Sequence, residues 1–422
     1  VIDHDAFVVE PWGLRETHLD LDVLAQSESI FALSNGHIGL RANLDEGEPH
    51  GLPGTYLNAF YETRPLPYAE AGYGYPEDSQ TVVNVTNGKL IRLLVDDEPF
   101  DVRYGKLLAH ERFLDFRSGL LRRHVEWLSP AGCPVRVNST RLVSFVQRAV
   151  AAISYEVEAL DPTPGARTRL VVQSELVTNE ALPTPSRDPR DPRVAAALHA
   201  QLRSVQFGHH DGRVVLVHAT RASGLLMAAG MDHVIDGPED TSVRTESDPD
   251  LGRVTVTVEL AAGQRLRLVK LIAYGWSSQR SAPSLRDQVD GALASARHSG
   301  WDGLVEGQRA YLDDFWHRAD VELSGDEELQ QAVRFALFHV LQSAARAEQR
   351  AIPAKGLTGP GYDGHVFWDT ESFVLPVLTY TAPNAAGDQL RWRHSTLPLA
   401  RERAQLLGHK GATFPWRTIR GQ

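Results

Sequence analysis

"AIPAKGLTGPGYDGHVFWDTE", residues Ala351–Glu371, is the stretch that carries most information in this chain. It places four glycines, a lysine, a histidine and the triplet Phe367-Trp368-Asp369 in one short segment. Segments this rich in glycine and polar groups run over protein surfaces and carry function. An aromatic pair beside a carboxylate offers an apolar platform with an acceptor next to it. A sugar ring needs both, a face of C–H groups to stack on and hydroxyls to hydrogen-bond. The competing reading makes Phe367 and Trp368 core aromatics and Asp369 a helix N-cap.

On either side of this stretch the hydrophobic period differs. Upstream, strand-like alternation recurs in "CPVRVNSTRLVSF" (133–145), "AVAAISYEVEAL" (149–160), "TRLVVQSEL" (168–176), "RVVLVHATRA" (213–222), "GRVTVTVEL" (252–260) and "QRLRLVKLIAYG" (264–275). Turn formers such as Asp161–Gly165 and Gly263 separate several of them. Many strands without intervening helices imply antiparallel sheets packed as a sandwich. The run "LPTPSRDPRDPR" (182–193) is too rich in proline and charge for a strand and reads as an exposed loop.

From Ser284 the period becomes helical through Ala319, and "SGDEELQQAVRFALFHVLQSAARAEQR" (324–350) is the clearest helix. Ser324 and Glu327 have capping-box spacing. Leu329, Val333, Ala336, Leu337, Val340, Leu341 and Ala344 form its expected apolar stripe, with His339 beside it as a structural histidine. After Glu371 a further helix is expected, interrupted at Pro376. Pro383 then suits the start of another helix, and Gly408 a C-terminal cap. Four or five helices thus follow the linker.

Composition narrows the function classes. At 422 residues the chain is long enough for at least two cores. The net charge of −11, with no basic stripe, argues against a nucleic-acid partner. Cys133 is the single cysteine, which excludes an intrachain disulfide and a cysteine-based zinc site. No apolar run reaches membrane-spanning length, and the N-terminal residues lack the pattern of a signal peptide. The expectation is a cytoplasmic protein that uses neither metal nor organic cofactor, since P-loop, dinucleotide and HExxH patterns are absent.

The segment "IPAKGLTGPGYDGHVFWDTESFVLPVLTYTAP" (352–383) resembles the first catalytic-domain signature of glycoside hydrolase family 65. So do "FALSNGHIGLRANLDE" (31–46), "GTYLNAFYE" (54–62), "VRFALFHVLQ" (333–342) and "RHSTLPLARERAQLLGHKGATFPW" (393–416), in the family's order. The family includes inverting disaccharide phosphorylases and related hydrolases. The resemblance implies an N-terminal antiparallel β-super-sandwich (1–272), a helical linker (273–322) and the first helices of an (α/α)6 catalytic barrel (323–422), incomplete in this chain.

It also implies an activity: inverting cleavage of an α-linked glucose disaccharide by phosphorolysis, giving β-glucose 1-phosphate. Inorganic phosphate is then a co-substrate, and a homodimer is compatible with the family. The alternatives are a trehalase- or α-glucosidase-type hydrolase and a catalytically inactive sugar-binding piece. By position, Trp368 and Asp369 match the pair lining the subsite for the non-reducing glucose. Phe367 adds apolar wall, and His365 and Lys355 are polar candidates at the rim, the latter with a surface salt bridge as its plain alternative. Trp416 either borders the acceptor site or packs. The general acid is implied to be a Glu beyond Gln422, so no catalytic residue is assigned here and the chain alone is expected to lack turnover. Glu371, two residues from Asp369, is read as a helix N-terminal charge. Asp363, Glu371 and Glu402 are the carboxyls to reconsider if that is wrong. For His37 and Arg41 the structural reading is preferred.

Overall fold

The computed structural model describes residues 6–65, 78–160, 163, 165–180 and 201–421, so the 182–193 loop reading lies outside the described residues, as does part of the 161–165 turn. Alternation in the N-terminal segments becomes a ten-stranded antiparallel sheet. Its order from edge to edge is Phe7–Glu10, Gly13–Glu16, Lys106–Asp115, Leu120–Leu128, Pro134–Val143, Val150–Ala159, Arg265–Ser277, Leu226–Asp236, Arg213–Ala219 and Arg203–His210. A five-stranded sheet, with Arg167–Val177 paired to Leu251–Ala261 and Ile91–Val95, covers one face. The period of two decides what lies between them. Val254, Val256, Val258 and Leu260 point inward and meet Leu170, Val172, Val135, Val137 and Leu268.

Helix α1 is Leu24–Ile30, and α2 runs from Ala282 to Ala319 along the other face of the large sheet. Leu285, Val289, Leu293 and Ala296 of α2 pack on Val150, Ala152, Val217, Leu271 and Ala273. Central strands are therefore buried on both faces, and "LVKLIAYG" (268–275) reads as a continuous apolar run around Lys270. Ser281 caps α2 by accepting a hydrogen bond from the Ser284 N–H. Gly300, at φ 66° and ψ 176°, breaks the helix into two rods.

Helix α3 (Glu327–Ala344) corrects two expectations. Its N-cap is Asp326, whose carboxylate accepts from the Leu329 N–H at 2.9 Å; Ser324 lies too early to serve. The buried face carries Gln330, Arg334, Phe338, Leu341, Gln342 and Ala344, whereas Leu329 and Ala336 of the expected stripe are exposed. The helix lies across irregular backbone of the sandwich, where amides and guanidinium meet needs that apolar groups cannot. Gln342 accepts from the Ser34 N–H and donates to the Ala32 carbonyl. Gln331 donates to the Gly13 carbonyl, and Arg334 pairs with Asp320 while stacking on Trp12.

Beyond the 351–371 loop, a five-residue π turn, Thr370–Val374, runs into α4 (Leu375–Thr381). Helical backbone runs without a break from Asp369 to Thr381, and Pro376 follows directly on the π turn, so the regular α pattern is interrupted beside the proline as expected. Helices α5 (Pro383–Ser395) and α6 (Leu397–Leu406) follow. Gly408, at φ +70°, ends α6 as expected: His409 N–H donates to Ala404 and Gly408 N–H to Gln405. Ala344, Ile352, Leu378, Ala385 and Ala386 join α3, α4 and α5. Phe373, Tyr380, Leu390 and Leu406 remain exposed. Among the described residues no helix is long and apolar enough to cross a membrane.

Buried histidines set the acid response. Burial lowers His110, His339 and His365 from 6.5 to about 4, and His233 to about 3. The folded state keeps these rings neutral, while the unfolded chain protonates them near 6.5. Their stabilising contribution is complete above pH 6.5 and is lost as pH falls through about 4. We therefore expect the thermal midpoint to decline steadily between pH 6.5 and 4, with a shallower slope in His339→Gln. A flat profile across that window would rule this out.

Candidate functional site

The 351–371 segment is pinned from below by the N-terminal chain. Arg41, which is fully buried, donates from Nη1 to the Thr358 carbonyl at 2.7 Å, and Asn58 Nδ2 donates to the Ala351 carbonyl at 3.0 Å. Gly39 lies so close to Leu357 that a Cβ there would come within 2.2 Å of the leucine Cβ. His37 is buried, and burial together with Arg148, Arg350 and Arg346 holds it well below its ordinary range. Both "SNGHIGLRAN" residues singled out are thus scaffold, and Arg41 is the one that reaches the loop.

Within the loop, Tyr362 and Asp363 both occupy the left-handed region (φ 57° and 56°), a conformation that costs non-glycine residues energy and clusters at functional sites. This kink turns the chain into the short strand Val366–Phe367, which pairs antiparallel with Arg417–Thr418. The pairing brings Trp416 edge-on to Phe367 at 5.7 Å and to Trp368 at 5.6 Å with a 76° angle. Tyr362 meets Phe367 from the other side at 5.4 Å. Trp368 is 46% exposed and Trp416 56%. Edge-to-face contacts hold the rings at near right angles while leaving open faces to solvent. Trp368 is therefore not a core residue.

Asp369 is exposed and occupies the N-cap position of the π turn, yet its side chain makes no capping hydrogen bond. Its carboxylate stays available beside Trp368. Glu371 is committed elsewhere: Arg393 of α5 donates to both of its oxygens at 2.7 and 3.1 Å, and Gln389 donates at 3.2 Å. Burial raises the Asp363 carboxyl above its ordinary range, opposed by Arg417 at 3.9 Å and by Arg64. Glu402 is exposed on α6.

Lys355 is exposed, with its ammonium 5.8 Å from the Tyr362 ring centre, and among the described residues no ion pair holds it. His365 lies beneath the loop, 5% exposed, and its Nε2 donates to the Gln80 carbonyl. Trp368, Asp369, Phe367 and Trp416 are therefore brought together, Lys355 and Tyr362 flank them, and His365 sits under them. Tyr362, Arg417 and Gln80 were not singled out from the sequence; only Tyr362, adjacent to a glycine in the loop, gave any local signal.

A cleft of about 710 Å³ shares no lining residue with this corner; it lies between the edge strand Arg203–His210 and α2, around Phe207, Asp290 and Arg286. Its buried carboxylate, Asp232, is consumed by Arg213 and Arg297 at 2.9 and 2.7 Å. The aromatic corner is open surface, so enclosed volume does not locate it.

Comparison with known proteins gives consistent matches. Residues 14–315 match the model for "Glycosyl hydrolase family 65, N-terminal domain", and residues 334–422 match the family's central catalytic domain. An uncharacterized glycosyl hydrolase of Mycobacterium tuberculosis is 65% identical over the whole chain, which covers 53% of that relative. The α,α-trehalose phosphorylase of Thermoanaerobacter brockii is 36% identical over 98% of the chain and 53% of its own length. The kojibiose phosphorylase of Escherichia coli is 29% identical over 98% of the chain and 51% of its own length. A solved structure provisionally named a kojibiose phosphorylase, from the human microbiome, superposes with a TM-score of 0.87 at 25% identity, over 99% of this chain and 53% of that one. The chain spans about half the length of these relatives.

Proposed function

Because the chain belongs to glycosyl hydrolase family 65, we propose that the corner formed by Trp368, Asp369 and Trp416 is the sugar-stacking part of a site that cleaves an α-linked glucose disaccharide with inversion. The observation that carries this reading is one exposed carboxylate without a capping role beside two exposed tryptophans at 76°. Stacking needs an apolar face, and orientation needs an acceptor for hydroxyls; the corner offers both within one turn of chain. In this reading Trp368 walls the ring, Asp369 accepts from its hydroxyls, Phe367 and Trp416 close the apolar side, and Lys355 lies at the rim. His365 supports the loop.

The reaction is phosphorolysis. A phosphate oxygen bonds to the anomeric carbon from the face opposite the leaving oxygen, the glycosidic C–O bond breaks, and the leaving oxygen takes a proton. The products are β-glucose 1-phosphate and a free sugar. Trehalose and kojibiose phosphorylases among the relatives support phosphate as the nucleophile. Glu371 is already engaged by Arg393 and Gln389. The reading assigns proton donation to a Glu outside these 422 residues, and divides the chain into sandwich (1–272), linker (273–322) and the opening helices of a helical barrel (323–422). Exposed Phe373, Tyr380 and Leu406 support helices that pack against more of such a barrel.

The test is phosphate-dependent formation of β-glucose 1-phosphate by the full-length protein from trehalose or kojibiose. Equal glucose release without phosphate would replace the reading with a hydrolase. At the corner itself, Trp368→Ala should weaken glucose binding about fivefold to tenfold, the worth of an aromatic stacking contact of roughly 1 kcal/mol. Its thermal midpoint should barely move. A parallel loss of stability and binding would return Trp368 to a packing role.

A further inference from the structure

The two tryptophans stand on a ladder of only two residue pairs, Val366↔Thr418 and Phe367↔Arg417. A ladder that short cannot hold its own geometry, since even an isolated hairpin is marginal in water. Trp368 and Trp416 extend from one end of it. At the other end stand His365 and Ile419, and both are held by a single residue of the N-terminal domain. The backbone carbonyl of Gln80 accepts from His365 Nε2. The side-chain Oε1 of Gln80 accepts from the Ile419 N–H at 3.0 Å and from the Arg420 N–H at 2.9 Å.

Gln80 is itself on a fixed support. It lies in the strand Asp78–Val82, which pairs with Tyr61–Pro65, with Gln80 opposite Thr63. Glu62 of that ribbon accepts from the backbone N–H groups of Arg221, Ala222 and Ser223 at 2.7, 3.1 and 2.8 Å, which ties the ribbon to the turn after strand Arg213–Ala219. Val82 closes the contact from below: a Cβ on Gly364 would come within 2.6 Å of the Val82 Cβ. A fixed support of this kind gives a binding group its orientation.

We propose that Gln80 is a positioning residue: its side-chain oxygen clamps the strand carrying Trp416 against the strand carrying Trp368, and so sets the angle of the sugar-stacking corner. Its part in sugar binding rests on the function proposed above; the geometric role does not.

The experiment compares Gln80→Leu with Gln80→Glu in the full-length protein. Gln80→Leu removes the acceptor and keeps the backbone carbonyl that receives His365. Gln80→Glu keeps an acceptor oxygen for both N–H groups. Edge-to-face indoles couple their transitions, so the Trp368–Trp416 pair should give an exciton couplet in the far-ultraviolet circular dichroism, assigned by its loss in Trp416→Phe. We expect Gln80→Leu to lose at least half of that couplet and Gln80→Glu to retain it, without sugar present. Glucose affinity should fall about fivefold to tenfold in Gln80→Leu alone, the scale of one or two lost neutral hydrogen bonds. An unchanged couplet in Gln80→Leu overturns the proposal. So does an equal loss in both variants in step with a lower melting point of the sandwich, because that makes Gln80 a packing residue. A couplet that responds as expected in a protein that binds no sugar supports the positioning role and removes the function proposed for the corner.

Discussion

Asp369→Asn in the full-length protein is expected, on the function proposed above, to lower kcat/KM by on the order of tenfold to a hundredfold, with the thermal midpoint within about 2 °C of the parent. The asymmetry follows from what the carboxylate touches. It is exposed and caps nothing, so the fold spends no interaction on it. Surface changes of that kind alter stability by about 0.5 kcal/mol or less. Hydrogen bonds from sugar hydroxyls to a charged acceptor are worth roughly 1.5–3 kcal/mol, and the neutral amide also presents a donor where hydroxyls need an acceptor. Steady-state kinetics beside thermal unfolding decide the matter. Unchanged kinetics would take Asp369 out of the site, and a matching fall in melting point would make it a structural residue.

Arg41→Met should have the largest effect on stability, about 3–5 kcal/mol, or roughly 10 °C in the sandwich's unfolding transition. Arg41 is 1% exposed and donates to Leu52, Ala25 and Thr358 carbonyls, to Ser29 Oγ and to Glu28. Methionine replaces the aliphatic stem of arginine and stops short of the guanidinium position, so the packing of the stem is largely kept. What goes is every donor. Among the described residues, Glu28, 0% exposed, would keep only the Gly51 and Leu52 N–H groups as partners. A buried charge that loses its partner costs far more than the intact pair contributes. Because one of the lost bonds ends on Thr358, near-ultraviolet signals from the 351–371 loop should change as well. A destabilisation below about 1 kcal/mol, measured by denaturant titration, would show that water or rearrangement replaces the guanidinium.

Other elements differ in how far local chemistry announces them. The alternation of Val254, Val256 and Val258 reads directly as a half-buried strand, because the pleat sends successive side chains to opposite faces. Leu285, Val289, Leu293 and Ala296 read as one face of α2 for the same kind of reason. Pro383 and Gly408 act through their own backbone restrictions, so their roles at helix ends required no tertiary knowledge. The Phe367-Trp368-Asp369 triplet announced a platform with an acceptor because both groups are adjacent in the chain.

The apolar period was only partly right at α3: Leu341 and Ala344 are buried as expected, but Arg334 and Gln342 are buried as well because they answer backbone groups of residues hundreds of positions away, and Gln330 because it answers Val321 and Leu323 just before the helix. Glu371 stands in the first helical turn, as its helix-end reading expects, but the Arg393 that α5 folds back to deliver to it was not legible locally. The right-angled pair of Trp368 and Trp416, and the grip of Gln80 on both of their strands, arise only when residues 80, 365 and 419 converge. Periodicity and turn chemistry depend on neighbours in sequence, so this protein's strands, helices and the aromatic–carboxylate triplet were present in the chain itself. Which polar groups are satisfied by which partners, and the angle at which two aromatic rings meet, depend on how distant segments pack, and those the tertiary structure alone decided.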